Sequence, residues 1–579
     1  MSIFKFEDHQ ALGRVRSVDT ATVIVQVGDV ERLRKLQVNR LAVLQSSRPG
    51  QHLVGIIQKI TRSAIEEQES AEEGLVENAK MTEVNLVRIT LIGTMVDKRG
   101  AASNVFLRTL ETVPEIDANC FAVEGETLTN FMRVVANIAA DGQRLSLGHY
   151  TLDDKAEAFL NGNKFFQRHA IIVGSTGSGK SWTTARILEK TADLPNGNAI
   201  VFDIHGEYGP LEGPGIRHFR IAGPSDLDKK SGLKDGVVHL PYWLLSYEAM
   251  VSMFVDRSDQ NAPNQSMVIS RAVVAAKQAY LLKGKHDSLL KNFTIDSPVP
   301  FELDAVISEL KELNTKTETG SSGREKQGDF HGKLSRLIQR LENKRTDRRL
   351  GFLFQCPPET MDFSWLEQFT SALMSGSIDQ PDKKGGIKII DFSEVPSDIL
   401  PLIVSLVAKI AFSIQQWTST GKRHPIALFC DEAHLYIPER QASGASDVSV
   451  EVFERIAKEG RKYGLGLVVI SQRPSEVNRT VLSQCNNLVA MRLTNGDDQS
   501  VVRRLLPDSL GGFGDLLPIL DTGEALVVGD ASLLPTRVRI EPPRQTPNSG
   551  TVQFWDRWSE DKSIKSISEA VTSWRNQAM

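Results

Sequence analysis

The residue types best suited to chemistry are concentrated in residues 174–181, which read GSTGSGKS and match the pattern G-x-x-x-x-G-K-[ST]. Glycines let the backbone curl so that successive N–H groups face phosphate oxygens. Lys180 is suited to contact β- and γ-phosphates, and Ser181 to offer a hydroxyl to Mg²⁺. The motif follows an apolar strand, 171–173, and opens a helix, 182–191, as a triphosphate site requires. The alternative is a glycine-rich turn without a ligand.

The predicted nucleotide contacts are the residues of this turn and the first residues of the helix that follows it. They are Gly174, Thr176, Gly177, Ser178, Gly179, Lys180, Ser181 and Trp182. The sequence therefore predicts ATP and Mg²⁺ as the nucleotide and the metal at this site.

A second apolar strand, 426–430, ends in two adjacent carboxylates, Asp431 and Glu432. In a nucleotide site Asp431 would join Ser181 in the Mg²⁺ shell, and Glu432 would accept a proton from the attacking water or orient it. The alternative is an acid pair in an ordinary loop. The phosphate motif upstream favours the catalytic interpretation.

Gln472 follows a third buried strand, 464–470, and a polar amide there can sense γ-phosphate or position water. The alternative is an ordinary turn glutamine. The preceding stretch, 448–463, has the pattern of an amphipathic helix and carries Arg455, Lys458, Arg461 and Lys462. One of these cations can act in trans as an arginine finger, or all can lie on a solvated face. His205 follows another strand, where a metal role, a catalytic role and a structural turn all remain open.

Composition excludes several classes of protein. The 579 residues are 40% hydrophobic and 24% charged with a net charge of −4, which excludes wholesale disorder and a uniformly basic nucleic-acid binder. The 4 cysteines form no C-x-x-C pair, which argues against a disulfide scaffold or a zinc ribbon and fits a reduced, cytoplasmic compartment. No apolar run approaches about 18 residues, so no membrane span is expected.

The pattern of predicted strands and helices changes near residue 150. Short alternating strands within 11–60 and 86–94 predict a small barrel or sandwich, whereas strands alternating with helices afterwards predict an α/β fold with a parallel sheet. The predicted segments are an N-terminal β-barrel-like domain with linker at 1–145, the ATPase core at 146–255 and 353–545, a helical insertion at 256–352, and a C-terminal arm at 546–579.

The insertion carries a basic stripe. Lys333, Arg336, Arg340 and Lys344 are three or four residues apart, so they share one helix face. A solvated face and a phosphate-contacting face are both compatible with this spacing.

These motifs together resemble the HerA family of hexameric DNA-translocating ATPases, relatives of FtsK and of conjugative coupling proteins. The likeness spans most of 145–545. It rests on five stretches: GSTGSGKS at 174–181, DIHGEY at 203–208, LFCDEAH at 428–434, EGRKYGLGLVVISQRPSEV at 459–477, and GEALVVGDASLLPTRVRI at 523–540. The resemblance implies a RecA-like motor that binds nucleotide between subunits.

The resemblance also assigns roles to individual residues. Gln472 matches the sensor position, and Arg461 best matches the arginine that acts in trans, with Arg455 as the second choice. Family members thread double-stranded DNA through a homo-hexameric pore and work beside a nuclease. Some bacterial members pair instead with sirtuin-like or nuclease effectors in antiphage defence, and here the N-terminal barrel is the expected docking surface.

The sequence therefore predicts an ATP-driven, ring-forming translocase of double-stranded DNA. The alternative from another class is an assembly scaffold or switch, in which ATP builds a ring that docks and regulates an effector enzyme with little translocation. A protein or peptide pump on the same core is a third possibility, against which the expected absence of a membrane anchor counts.

Overall fold

The computed structural model describes residues 3–67, 80–100, 102–137, 144–151, 153–229, 231–319, 325–375, 386–439, 444–506, 513–532, 534–550, 552–559 and 567–576. The chain divides into two units. The first comprises Met1–Ile187 and Asn486–Pro542, and the second comprises Leu188–Cys485 and Pro543–Met579. The segment boundaries predicted above remain predictions.

The strands are short except for two in the N-terminal part. In chain order they are β1 Gly13–Asp19, β2 Thr22–Gln26, β3 Leu41–Gln45, β4 Gln51–Glu67, β5 Lys80–Arg99, β6 Ala102–Leu107, β7 Asn119–Ala122, β8 Leu145–Tyr150, β9 Asp153–Leu160, β10 Ala170–Val173, β11 Asn198–Asp203, β12 Ile216–Ile221, β13 Val237–Val238, β14 Thr317–Thr319, β15 Glu325–Gln327, β16 Gly386–Asp391, β17 Ile426–Cys430, β18 Leu465–Ser471, β19 Asn487–Ala490, β20 Glu524–Gly529 and β21 Thr536–Ile540.

The helices concentrate after residue 160. In chain order they are α1 Val30–Lys35, α2 Gly125–Asn137, α3 Gly162–Gln167, α4 Lys180–Ala192, α5 Asp226–Lys229, α6 Tyr247–Phe254, α7 Ala262–Lys283, α8 Asp287–Leu290, α9 Leu303–Thr315, α10 Ser335–Thr346, α11 Gly351–Phe354, α12 Trp365–Met374, α13 Leu400–Trp417, α14 Ala445–Glu459, α15 Arg479–Gln484, α16 Gly496–Leu505, α17 Phe554–Ser559 and α18 Ile567–Asn576.

The first unit begins with a closed barrel. Its strands pair in the order β2-β1-β7-β3-β4-β5, and β5 pairs back with β2 to close the ring. Along β2, Val23 and Val25 point inward and are fully buried while their neighbours are partly exposed, as strand alternation requires. The prediction of a small N-terminal barrel is therefore confirmed.

A second sheet of the first unit holds the strand that precedes the glycine-rich motif. The strand order is β10-β19-β20-β21-β8-β9, in which β10 and β19 are parallel and the other neighbours are antiparallel. All four residues of β10 are buried. A strand buried on both faces gives the turn that follows it a rigid base.

The second unit is built on a parallel sheet in the order β13-β12-β16-β11-β17-β18. The central strands β11, β17 and β18 are buried along their whole length, and helices connect them. Parallel strands present their carboxyl ends at one edge of the sheet, so this edge collects Asp203, Asp391, Asp431 and Ser471 with the residues that follow them. The predicted α/β class is confirmed.

The predicted helical insertion is also present, as α7 to α10 with the small hairpin β14–β15. Cations of α10 pair inside the unit: Arg336 lies 3.5 Å from Asp259, and Arg340 lies 2.7 Å from Asp256. A guanidinium that already faces a carboxylate is less available to phosphate. This pairing favours the solvated-face interpretation of the basic stripe.

One helix, α13, is long and apolar enough to cross a membrane by length and composition. It is a core helix of the second unit, since two thirds of its apolar window is buried. Phe412 packs edge-on against Tyr463, and the Arg455 guanidinium lies over the Phe412 ring.

Candidate active site

The backbone of residues 174–181 takes a shape that only glycine tolerates at two points. Gly177 has φ +73° and Gly179 has φ +109°. A Cβ atom on Gly179 would also lie 2.8 Å from the Met491 side chain, and one on Gly174 would lie 2.4 Å from Ser178 Oγ. The motif glycines are therefore required by the fold of the turn, independently of any ligand.

Backbone hydrogen bonds fasten this turn inside the first unit. Ser175 N–H donates to the Arg492 carbonyl at 2.8 Å, and Gly523 N–H donates to the Ser178 carbonyl at 3.0 Å. The Ser178 hydroxyl oxygen is buried and has no hydrogen-bond partner in the structure as described. Such a buried orphan is unusual and is consistent with a pocket arranged for a polar ligand.

The cation and the hydroxyl of the motif stand at the start of α4, which begins two residues earlier than predicted. Lys180 is only 8% exposed, and its Nζ donates to the Ser175 carbonyl at 3.4 Å. Ser181 is half-buried, and Trp182 is 39% exposed. An ammonium and a helix N-terminus at one turn suit an anion.

The acid pair lies at the carboxyl end of β17 in the second unit. Asp431 is buried, and its Oδ2 atom has no hydrogen-bond partner among the residues described. Burial, followed by the charges of Glu432, Glu207 and Asp203, holds the pKa of Asp431 well above its usual value. A carboxylate in this environment is stabilised by a cation.

Asp203 organises the neighbouring strand end. Its two carboxylate oxygens accept the backbone N–H groups of Glu207 and Tyr208, each at 2.9 Å. Burial raises the Asp203 pKa to about 6, against the effect of these two hydrogen bonds. The DIHGEY segment is thus a turn wrapped around Asp203, and His205 lies exposed on it.

Two side chains contact the second acid, and a third contacts one of these two. Gln472 Nε2 donates to Glu432 Oε1 at 2.9 Å, and His434 Nδ1 lies 3.3 Å from Glu432 Oε2. Ser471 Oγ is 3.2 Å from the same His434 nitrogen. Glu432 itself has φ +44°, a left-handed conformation that is uncommon for a residue other than glycine and is found at functional sites. The structure thus brings the predicted Glu432 and Gln472 into direct contact.

Sequence reasoning missed His434. The available signal was its position two residues after Glu432 at the same strand end, where it follows the acid pair into the 3₁₀ turn Ala433–Leu435. Burial lowers the pKa of His434, although the charge of Glu432 opposes this shift. The ring is therefore predominantly neutral near pH 7.

The two candidate trans arginines differ in their surroundings. The predicted helix 448–463 is α14 followed by the 3₁₀ turn Gly460–Tyr463, which carries Arg461. Arg455 faces Glu459 at 3.7 Å and covers the Phe412 ring at 5.2 Å. Arg461 is exposed and forms no ion pair within the described ranges. Of the two guanidiniums, that of Arg461 is the more available to a partner.

The segment after β21 is tied to α4 and to the Asp203 turn, which the sequence did not predict. The buried Glu189 carboxylate accepts the backbone N–H groups of Arg544 and Gln545, each at 2.9 Å. Further on, Asn548 N–H donates to the Glu207 carbonyl at 2.7 Å. We call residues 543–548 the strap.

The carboxylates at the strand ends of the second unit suit a Mg²⁺ ion that is bound together with a nucleotide. No group of three or more His, Cys, Asp or Glu side chains in the described parts of the chain is arranged to hold a metal alone. Mg²⁺ usually takes one or two protein oxygens and completes its shell with water and substrate phosphate. In the second unit, the orphaned and buried Oδ2 of Asp431 is the protein oxygen that this chemistry favours.

Residues 145–411 match the family model described as "Helicase HerA, central domain". The DNA double-strand break repair helicase HerA of Pyrococcus furiosus is 25% identical over 72% of this chain and 74% of its own length. Its namesake from Sulfolobus acidocaldarius is 23% identical over 70% of this chain and 71% of its own length.

Among solved structures, VirB4 of Thermoanaerobacter pseudethanolicus aligns with a TM-score of 0.43 and 16% identity, over 69% of this chain and 97% of that one. The family match confirms the predicted resemblance and, with it, the prediction of an ATPase. The roles given to individual site residues remain predictions.

Proposed function

Because residues 145–411 match the family model of the HerA helicase central domain, we propose that this protein is an ATP-driven, ring-forming translocase of double-stranded DNA. The substrate class is supported by the relatives, which are described as DNA double-strand break repair helicases. The observation that carries hydrolysis is the strand-end acid pair. Asp431 is buried and short of a partner, while Glu432 is held by a neighbouring amide.

In this proposal each residue of the chain has a distinct task. Backbone N–H groups of the 174–181 turn and Lys180 bind the phosphates of ATP. Ser181 and Asp431 hold Mg²⁺, which when bound with ATP neutralises charge on the phosphates. Glu432 orients the attacking water and accepts its proton, and Gln472 fixes the Glu432 carboxylate.

Hydrolysis is completed in trans. Arg461 of one subunit stabilises the charge that develops on the phosphate bound by its neighbour. Each nucleotide then lies at a subunit interface, so ATP binding closes that interface and hydrolysis opens it. Contacts of the moving subunits with DNA phosphates make the movement independent of sequence.

The first experiment measures ATP hydrolysis with and without duplex DNA. Lys180→Ala should abolish nucleotide binding, whereas Glu432→Gln should retain ATP binding and lower kcat by about a hundredfold or more. Matched controls are Lys190→Ala in the same helix and Glu451→Gln on the exposed side of α14. Wild-type turnover in Glu432→Gln would refute the catalytic assignment.

The second experiment separates a motor from a scaffold. The wild-type protein, with ATP and Mg²⁺, should displace streptavidin from a biotinylated duplex, and Glu432→Gln should not. If the wild-type protein hydrolyses ATP but leaves the streptavidin in place, the protein is the scaffold or switch described as the alternative. Native mass with and without ATP tests the ring, for which we propose a homo-hexamer.

We also propose a cytoplasmic location and an effector partner, either a nuclease or a sirtuin-like enzyme, that docks on the N-terminal barrel in antiphage defence. The barrel supports the docking proposal because small barrels present loops and strand edges to partners. Deletion of the barrel should abolish co-purification of the effector from the native host and leave ATP binding intact.

A further inference from the structure

The carboxylate of Glu432 has an asymmetric environment. Its Oε1 atom is engaged by the Gln472 amide, whereas its Oε2 atom is buried and accepts no hydrogen bond of regular geometry from the described residues. The His434 Nδ1 atom, at 3.3 Å, is the nitrogen that faces Oε2. The two side chains are only 9% and 8% exposed, so solvent contributes little to their interaction.

The surroundings determine which His434 nitrogen carries the proton. A lone pair on Nδ1, 3.3 Å from a buried carboxylate oxygen, would be repelled by it, whereas an Nδ1–H group is attracted to it. Ser471 Oγ, 3.2 Å from Nδ1, already accepts the backbone N–H of Arg473 at 3.0 Å and is the second acceptor available to the ring. These contacts favour a neutral ring with its hydrogen on Nδ1, hydrogen-bonded to Ser471 Oγ and 3.3 Å from Glu432 Oε2.

We propose that His434 is a positioning residue for ATP hydrolysis, whose Nδ1–H group orients the Glu432 carboxylate from the side opposite Gln472. This inference rests on the proposed function, in which Glu432 accepts the proton of the attacking water. Two donors from two elements fix the plane of the carboxylate, and a misplaced general base loses rate even when the substrate still binds.

A purely structural role for His434 predicts different effects of substitution. If the ring served only to fill space, an apolar residue of similar size would replace it without loss of turnover. Asn places an amide N–H close to the Nδ1 position, whereas Gln places it close to the Nε2 position. The series His434→Leu, His434→Asn and His434→Gln therefore separates packing from donation at a defined atom.

The first test needs no nucleotide. Solid-state NMR of protein labelled with ¹⁵N-histidine reports the tautomer of each ring, and the His434 signal is identified by its disappearance in His434→Asn. We expect the Nδ1–H tautomer, and a changed Nδ1 shift in Glu432→Gln. An Nε2–H tautomer, or an Nδ1 chemical shift that is the same in Glu432→Gln and in the wild-type protein, would overturn the proposal even if ATP hydrolysis is confirmed.

The second test is kinetic. His434→Leu should lower kcat about tenfold or more with an unchanged Kd for ATP, because orientation of the base is lost and nucleotide contacts are kept. His434→Asn should recover most of this loss and His434→Gln little of it. In a Glu432→Gln background His434→Leu should have no further effect, because residues that act as a unit are not additive.

Equal loss in the Leu and Asn variants, or wild-type turnover in His434→Leu, would refute the positioning role. Thermal unfolding of each variant shows whether it is folded. Failure of the proposed function is recognised separately: a wild-type protein that hydrolyses no ATP refutes that function and the positioning role with it, whereas an Nε2–H tautomer in a protein that hydrolyses ATP refutes the positioning role alone.

Discussion

Gln472 and Glu432 come from different strands and meet through one hydrogen bond, from Nε2 of the amide to Oε1 of the carboxylate at 2.9 Å. Each follows the carboxyl end of its strand, β18 and β17, and the register that pairs Cys430 with Val469 keeps the two ends side by side. The glutamine therefore has a contact in the protein itself, before any phosphate is present.

The first prediction concerns this hydrogen bond. Gln472→Leu removes the donor and should lower kcat about tenfold or more with little change in the Kd for ATP, because orientation of Glu432 is lost while phosphate binding is retained. Steady-state ATPase assays and nucleotide titration measure the two quantities. The control is Gln484→Leu at the exposed end of α15. Unchanged turnover in Gln472→Leu would argue against any role for the contact.

The second prediction concerns the trans arginine. Arg461→Ala should abolish hydrolysis in a pure ring, yet mixing it with Lys180→Ala should restore part of the activity. In mixed rings, an intact 174–181 turn on one subunit can meet an intact Arg461 on its neighbour. No recovery on mixing would place Arg461 in cis or remove it from the mechanism.

Arg455→Ala is the matched control for this experiment. Its guanidinium covers Phe412 and faces Glu459, so its loss should lower the melting temperature and leave turnover nearly intact. The opposite pattern, with turnover lost in Arg455→Ala and kept in Arg461→Ala, would exchange the two assignments.

The third prediction concerns the strap. Glu189→Leu leaves the backbone N–H groups of Arg544 and Gln545 without their acceptor. Because both hydrogen bonds are part-buried, each loss costs at most about 1–3 kcal/mol, the range for a fully buried group. Arg544→Ala removes the ion pairs of an exposed guanidinium with Glu189 and Asp193, which contribute about 0–1 kcal/mol because the cation stays in water. The melting temperature of Glu189→Leu should therefore lie well below that of Arg544→Ala, with that of Glu189→Gln between them. Equal melting temperatures would show that the strap is not held by Glu189.

The fourth prediction concerns pH. Lys388 is fully buried on β16, contacts Asn198 Oδ1 and donates to the Gly386 carbonyl, and burial lowers its pKa from 10.5 to about 7. Between about pH 7 and 10 the unfolded chain binds more protons at this lysine than the folded chain, so stability rises with pH in this window. Below about pH 7 the lysine is protonated in both the folded and the unfolded chain, so it no longer makes stability depend on pH.

Lys388→Met lacks this titration. The stability of the variant relative to the wild-type protein should therefore be highest at about pH 6 and fall steadily towards about pH 9. Chemical unfolding at a series of pH values measures this difference. A difference that does not vary with pH would mean that Lys388 keeps its ordinary pKa in the folded protein.

The sequence alone determined the local features. The glycines at 177 and 179, with positive φ, were recognised because only glycine suits that turn, and the buried strands β10, β11, β17 and β18 were recognised from continuous apolar runs. Asp431, Glu432 and Gln472 could be named because polar residues directly after buried strands are rarely incidental. Each of these signals lies within a few consecutive residues.

Tertiary structure decided what depends on distant residues meeting. Whether Arg340 was available to phosphate depended on Asp256, 84 positions away, and the tie between Glu189 and Arg544 spans 355 positions. The same holds for the partners of Glu432, because the identity of a donor across two strand ends follows from register and burial. Sequence spacing carries no record of such contacts, since they arise only when the sheet assembles and water is excluded.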